Sequence, residues 1–238
     1  DWAAAAGAGA AEAGAVGAEA AEGLVYIPGY NTSLHWSLVR VGQMVAQGRL
    51  PFRIKPLVFS WPGGHAISYH LARRAAASAW MAADLLRMLQ VLHAAGVAKV
   101  QLLAHSMGAM VLLHALPTLC ASPLLRGGHL QLLSVTLLSP DHPLDDFLAT
   151  TYPLLHARGV PLTIYGDRHD KPLTYSELVS GERTLGKLWG APWAERVAPA
   201  PRALIAPPAT GTTEIEAPSA PPAPPAPPAP PAPPAPPA

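Results

Sequence analysis

The stretch that decides the fold is K-V-Q-L-L-A-H-S-M-G-A-M-V-L-L-H-A-L, residues 99–116. Residues 100–104 are apolar apart from Gln101, as is typical of a strand buried on both faces of a parallel sheet. A second apolar run follows the H-S-M-G segment at 105–108. The stretch therefore predicts a buried strand, a tight turn that carries Ser106, and a buried helix.

The turn fits the G-x-S-x-G pattern, with Ala104 in the place of the first glycine, where only a small side chain is needed. In this pattern the serine lies on a strained strand-to-helix turn and its hydroxyl stands clear of the sheet edge. The Met107 N–H and the positive end of the helix dipole would then lie where an oxyanion forms. The alternative is a serine in an ordinary strand-to-helix turn. The order of strand, turn and helix favours a nucleophile at Ser106.

The two ends of the 238-residue chain differ in composition from its middle. Residues 1–22 are almost wholly Ala, Gly and Glu, and residues 187–238 turn to Pro and Ala and end in P-P-A repeats. We interpret both as disordered tails. The second favours polyproline II and would be a semi-rigid spacer or a ligand for a proline-reading module. Residues 23–186 then form one domain. The missing initial Met suggests a fragment or a processed chain.

Charge, cysteine content and the lack of certain motifs exclude several kinds of function and site. The formal net charge is only +1 and the arginines are dispersed, so nucleic-acid binding is not indicated. The one cysteine, Cys120, excludes an internal disulfide and fits a soluble protein of a reducing compartment, cytoplasmic or organellar. We expect it to be a buried structural thiol. Metal-ligand spacings and a membrane-spanning apolar segment are both missing from the sequence, so we expect neither a metal or other cofactor nor a transmembrane segment.

Strand and helix patterns alternate along the middle of the chain. Further apolar runs predict strands at 24–27, 54–60, 130–138 and 160–165. Helical spacing predicts helices at 34–47, 69–95 and 173–185. A further helix follows the turn at 104–108, which we call the elbow, and ends near Pro117. On the first helix the predicted buried face consists of Leu34, Leu38, Val41 and Val45. Strand, helix and strand in this order form right-handed βαβ units. The fold class is therefore α/β, a doubly wound, mostly parallel sheet with helices on both faces.

Polar residues follow several of these strands. Asp141, Asp167 and Asp170 come just after predicted strand ends, where ligands bind on open α/β sheets, although each could be a solvated loop aspartate. The loop 28–33 follows the first strand, a position from which a backbone N–H can serve as a second oxyanion donor. A plain strand-to-helix turn is the alternative for that loop.

Taken together, residues 24–186 resemble a family of bacterial and algal α/β-hydrolase proteins that are esterase- or lipase-like and form a domain of unknown function. The matching segments are P-G-Y-N-T-S (28–33), F-S-W-P (59–62), A-H-S-M-G (104–108), L-L-S-P-D (137–141) and Y-G-D-R-H-D-K-P-L (165–173). The resemblance implies a catalytic Ser106, a triad acid at Asp170, and an oxyanion loop lined by Tyr30 and Asn31. It also implies a small-molecule ester or acyl substrate.

Two departures from the family pattern concern histidine. Pro28 stands where the oxyanion loop commonly opens with His, a mild change because the donor is a backbone N–H. The triad order is Ser, acid, His, yet no histidine follows His169, so we expect a hydrolase fold that is incomplete at its C-terminal end.

The substitutes for a triad histidine are His142, His65, His156 and His169, and His142 beside Asp141 is the best placed of them. His105 is expected to pack beneath the turn. Two readings follow. One is a serine hydrolase of carboxylic esters that is impaired by the lack of the triad histidine. The other is a catalytically inactive hydrolase-fold binding or scaffold protein with a proline-rich interaction arm.

Overall fold

The structure is a computed structural model and describes residues 21–64 and 68–187. Its centre is a five-stranded sheet in the order β2-β1-β3-β4-β5, and each neighbouring pair is parallel. The strands are β1 (Ala21–Ile27), β2 (Ile54–Val58), β3 (Val97–His105), β4 (Gln131–Leu138) and β5 (Leu162–Tyr165). All five predicted strands are present, and the predicted parallel α/β sheet is confirmed.

The helices that surround this sheet are numbered in chain order. They are α1 (Leu34–Gly48), α2 (Tyr69–Ala76), α3 (Ala79–Ala94), α4 (Met107–Ala121), α5 (Pro123–Arg126), α6 (Leu144–Asp146), α7 (Tyr152–Ala157) and α8 (Lys171–Ser180). A π-helical turn, Phe147–Thr151, joins α6 to α7, and 3-10 turns span Pro62–Gly64 and Leu185–Lys187. Within the described ranges, no helix combines the length and the apolar composition needed to cross a bilayer.

The two faces of the sheet are covered unequally, because side chains alternate between faces along a strand. Leu102 points into the main core, which packs against α3 and α4 through residues such as Leu85 and Leu112. The next residue, Leu103, points to the other face, in a small cluster with Tyr26 and Val41 of α1. Helices thus cover both faces, and the large core lies beneath α3 and α4.

The segment predicted as one long helix, 69–95, is two helices. The chain breaks between α2 and α3, where the Ser78 hydroxyl donates to Ala75 O at 2.5 Å and its oxygen accepts the Met81 N–H at 3.4 Å. Ser78 is the N-cap of α3 and interrupts the predicted long helix, because a serine side chain readily bonds to nearby backbone groups. Leu71 of α2 is 53% exposed, and Ala72 and Ala76 are the buried residues of this helix.

Two other helix predictions were wrong in detail. α4 continues through Pro117 to Ala121, although proline removes a helical hydrogen bond. Burial of Leu116 and Leu119 on the core side outweighs that loss. α8 ends at Ser180 because Gly181 takes a left-handed conformation with φ 72°, so the predicted extension to residue 185 does not form.

The predicted buried face of α1 is only partly correct. Val41 and Ser37 are buried, whereas Leu34 and Leu38 are about half exposed and Val45 is also exposed. The hydrophobic stripe is wider than the sheet surface that α1 covers, because only the small cluster around Tyr26 lies beneath the helix. Cys120 is buried as predicted, and burial raises the pKa of its thiol.

Candidate active site

Ser106 lies at the tip between β3 and α4 in a conformation that non-glycine residues rarely adopt, with φ 52° and ψ −126°. Backbone hydrogen bonds fix it from both sides. The Ser106 N–H donates to Leu138 O at 2.9 Å, and its carbonyl accepts the N–H groups of Ala109 at 2.9 Å and Asp141 at 3.1 Å. Its side chain is half-buried, and no described residue makes a hydrogen bond to Oγ. Backbone hydrogen bonds from other segments of the chain therefore keep Ser106 in its strained conformation. None of the described residues bonds to its hydroxyl.

A close approach at Gly108 places the start of α4 against the end of β1. A Cβ atom at this position would lie 2.4 Å from Ile27 O and 2.5 Å from Pro28 O, so only glycine fits. Met107, the first residue of α4, has a fully buried side chain. Its N–H is one of the first in the helix, which have no acceptor within the helix, and the dipole adds positive potential there. The predicted oxyanion donor thus lies next to Ser106.

The loop after β1 packs directly on this turn. A Cβ atom at Gly29 would lie 3.0 Å from Ser106 Cβ and 3.0 Å from His105 Nδ1. The Trp61 indole N–H donates to Pro28 O at 2.7 Å, and the Asn31 N–H donates to Gly63 O at 2.6 Å. The segment after β2 therefore clamps the loop against the elbow.

This clamp bears on the two residues expected to line the oxyanion loop. Tyr30 and Asn31 both lie in the loop beside the elbow, but the Asn31 N–H is already bonded to Gly63. Asn31 could donate to an oxyanion only if that bond opened. The sequence patterns did not predict this clamp, because it joins loops that follow two different strands.

A buried carboxylate, Asp141, lies beside the elbow after β4 and is 3% exposed. Its Oδ2 accepts the Tyr69 hydroxyl at 2.7 Å, and its Oδ1 accepts the Ser176 hydroxyl at 2.6 Å. The two hydroxyl oxygens are 2.5 Å apart, and Arg73 Nη1 lies 3.3 Å from Ser176 Oγ. Burial, and then the Asp141 charge, raise the pKa of Tyr69 to about 12. Sequence reasoning placed Asp141 at this edge and gave no signal for Tyr69 or Ser176.

Asp170 starts α8, and its Oδ1 accepts the Leu173 N–H at 3.0 Å as an N-cap. Burial, and then the charge of Arg40, lower the pKa of His105, and the charge of Asp170 opposes that shift. His105 packs under the Gly29 loop, as expected, and its buried Nδ1 has no hydrogen-bond partner in the described part of the chain. The structure thus brings Asp170 near the elbow strand and records no contact between its side chain and Ser106.

His142 is 1% exposed and lies against α4. Its Nε2 is 2.9 Å from Asp146 Oδ2 without the alignment of a hydrogen bond, and its ring centroid is 5.2 Å from that of His114. Burial, and then the nearby His114, lower the pKa of His142 to about 4. His114 follows Ser106 by eight residues of helix, or about 12 Å. The ring of His142 thus contacts Asp146 and His114 of α4, and the structure records no contact between that ring and Ser106.

Two other histidines suggested as substitutes, His156 and His169, have their recorded contacts elsewhere. His156 contacts the Tyr152 ring, and His169 is exposed with Nδ1 3.5 Å from Asp167 Oδ1. His65 lies outside the described residues. Across 21–64 and 68–187, no group of three or more His, Cys, Asp and Glu side chains is arranged to hold a metal ion.

A cavity of about 580 Å³, lined by residues that include Cys120, Leu130 and Val160, opens at the other edge of the sheet. Leu130 and Val160 lie at the amino ends of β4 and β5, and Cys120 lies near the end of α4. The elbow lies at the carboxyl ends, where ligands bind on open parallel sheets. The position of the proposed chemistry therefore follows from the elbow and not from this cavity.

The sequence matches the model of one protein family, described as alpha/beta hydrolase of unknown function (DUF900), over residues 16–197. The match spans well over half of the chain and extends beyond both ends of the predicted domain at 23–186. No curated protein matches the sequence.

Proposed function

The chain belongs to the DUF900 family of α/β hydrolases, and on that premise we propose that it is a serine hydrolase of carboxylic esters with Ser106 as the nucleophile. The observation that carries the proposal is the conformation of Ser106. A strained serine between a strand and a helix, with Gly29 and Gly108 packed closely around it, exposes a hydroxyl beside backbone N–H groups.

The proposed reaction is acyl transfer in two steps. Ser106 Oγ attacks the ester carbonyl carbon, the hydroxyl proton passes to a base, and the carbonyl oxygen becomes an oxyanion. The Met107 N–H and a backbone N–H of the 28–31 loop donate to that oxyanion. The alcohol leaves with a proton, and water then releases the acid from Ser106.

The rate of this reaction depends on the group that accepts the Ser106 hydroxyl proton. Asp170 is the acid in the proposal, and an acid of this type acts by orienting a histidine. Since the described residues place no histidine against Ser106, we expect slow turnover. Loss of one triad member leaves roughly 10³- to 10⁴-fold catalysis over water from the oxyanion hole and substrate binding.

The second candidate function is a catalytically inactive hydrolase-fold binding or scaffold protein. The observation that favours it is the lack of any hydrogen bond to Ser106 Oγ from the described residues. Its P-P-A repeats would serve as the arm that a proline-reading module binds.

A fluorophosphonate probe separates the two candidates, because it forms a covalent bond only with an activated serine. We expect one adduct per chain, located by peptide mass spectrometry in the elbow peptide and lost in Ser106→Ala. Ser134→Ala, on β4, is a matched control that should label like the wild type. If the folded wild type forms no adduct under any condition, the hydrolase proposal fails and the binding role stands.

A further inference from the structure

Asp141 contacts or supports each part of the proposed site, although the family resemblance assigned the acid role to Asp170. Its carboxylate is almost fully buried, and both of its oxygens accept hydroxyl hydrogen bonds. We propose that Asp141 is a positioning residue that fixes the elbow, the acid helix α8 and the oxyanion loop relative to one another. This inference rests on the proposed function.

The first connection is to the nucleophile and uses the backbone. The Asp141 N–H donates to Ser106 O at 3.1 Å, and the Ser106 N–H donates to Leu138 O at 2.9 Å. The strained residue is therefore held between the end of β4 and the segment that carries Asp141. Because the bond comes from the backbone, the side chain of Asp141 is left to bind elsewhere.

The second connection is to α8 through Ser176. The Ser176 hydroxyl, 1% exposed, donates to Asp141 Oδ1 at 2.6 Å. Ser176 lies six residues after Asp170, the N-cap of the same helix, or about 9 Å along its axis. A helix of this length moves as a unit, so the bond at Ser176 fixes the position of Asp170 relative to the elbow.

The third connection is to the oxyanion loop through Tyr69. The Tyr69 hydroxyl lies 2.7 Å from Asp141 Oδ2, and its ring packs edge-on against Tyr30 with centroids 5.7 Å apart and planes at 89°. Edge-to-face packing of this kind is directional. Asp141 thus orients Tyr69, and Tyr69 supports the loop residue beside the elbow.

The carboxylate suits this role better than an amide would. An ionised carboxylate only accepts hydrogen bonds, so each oxygen can take one hydroxyl. In Asp141→Asn the NH₂ group would face either the Tyr69 or the Ser176 hydroxyl. A charge-assisted hydrogen bond to a carboxylate oxygen would then be replaced by a weaker neutral one at nearly constant volume. Arg73, with Nη1 3.3 Å from Ser176 Oγ, supplies positive charge near the buried carboxylate.

The test compares Asp141→Asn and Ser176→Ala with Asp84→Asn, an exposed carboxylate on α3. Saturation kinetics of fluorophosphonate labelling should show a maximal rate constant about 10- to 100-fold lower in Asp141→Asn, with half-saturation unchanged within about twofold. Combining the first two changes should add little to Asp141→Asn alone, since both act through the same connection. Asp84→Asn should label like the wild type.

A merely structural Asp141 would lower the melting temperature and leave labelling of the folded variant unchanged, which would overturn the proposal. Hydrogen exchange gives a second readout that needs no catalysis. In Asp141→Asn the amides of Lys171–Ser180 should exchange at least about tenfold faster while those of Ala79–Ala94 stay unchanged. If the wild type does not label, the proposed function fails, and this exchange pattern alone decides whether Asp141 holds α8.

Discussion

The elbow at Ser106 and the loop that carries Asp170 are held by different kinds of contact. Around Ser106, three backbone hydrogen bonds and the close approaches of Gly29 and Gly108 fix the chain. The backbone of Asp170 bonds only to residues near it in sequence, Asp167 and Thr174, and its side chain caps its own helix. In addition, a side-chain hydrogen bond from Ser176 joins that helix to Asp141. The comparison teaches that backbone bonds between distant segments hold Ser106, whereas side chains connect the helix of Asp170 to the elbow.

The largest effect on stability is expected at Gly108, where the elbow is tightest. Gly108→Val should destabilise the fold by about 3 kcal/mol or more, because its Cβ would overlap two backbone carbonyl oxygens. Urea unfolding measures this against Gly42→Val, a helix position with no neighbouring atom within 4 Å of an added Cβ. Ser106→Ala should change the free energy of unfolding far less. A larger loss for Ser106→Ala than for Gly108→Val would contradict the elbow assignment.

Acidification tests the burial of His142. Its folded-state pKa of about 4 lies below the ordinary value of 6.5, so the unfolded state binds more protons between these pH values. Stability should therefore be complete above about pH 6.5 and fall as the pH drops toward 4, by on the order of 2–3 kcal/mol from this group. The loss should shrink in His142→Asn and persist in His169→Asn, whose parent side chain is exposed. Equal acid sensitivity in all three proteins would show that His142 is not buried.

Removing the Trp61 hydrogen bond that clamps the 28–31 loop should lower the free energy of unfolding less than Gly108→Val does. Trp61→Phe keeps an aromatic ring but removes the N–H bonded to Pro28 O, leaving a buried carbonyl unpaired at a cost of about 1–3 kcal/mol. Trp80→Phe, half exposed on α3, is the matched control and should be nearly neutral. Urea midpoints and probe labelling should fall together in Trp61→Phe. Unchanged labelling would mean that the loop does not depend on this bond.

The smallest expected effect is that of His142→Ala on labelling. Because the His142 ring faces His114 and Asp146, its removal should leave the labelling rate of folded protein within about twofold of wild type. If His142 is the base after all, this variant should lose labelling while His156→Ala keeps it. In that case the wild-type rate should rise with pH through the pKa of His142.

The sequence predicted the sheet and the strained turn at Ser106 because both are local patterns. Five apolar runs gave five strands, and A-H-S-M-G alone identified the turn at Ser106. The prediction that α4 ends near Pro117 was wrong, because packing of the buried helix outweighs the helix-breaking tendency of proline. The opposite error occurs at Ser78. Hydrophobic spacing alone would continue the helix there, but Ser78 caps the start of α3 and so separates it from α2.

The connections within the candidate site could not be predicted in the same way. Tyr69, Asp141 and Ser176 come from three distant segments, and none stands in a recognisable spacing. The engagement of the Asn31 N–H by Gly63 depends on the path of the loop after β2. Such contacts follow from tertiary packing, and a single sequence has no local signal for them.

The central claim is that Ser106 is positioned as a nucleophile and that none of the described residues supplies it with a base. The most direct measurement is fluorophosphonate labelling of the wild type and Ser106→Ala, followed by intact mass, with and without added imidazole as an external base. The account predicts one slow adduct on Ser106 that imidazole accelerates, and none on Ser106→Ala. A wild type that stays unlabelled with imidazole, or an equal adduct on Ser106→Ala, would contradict it.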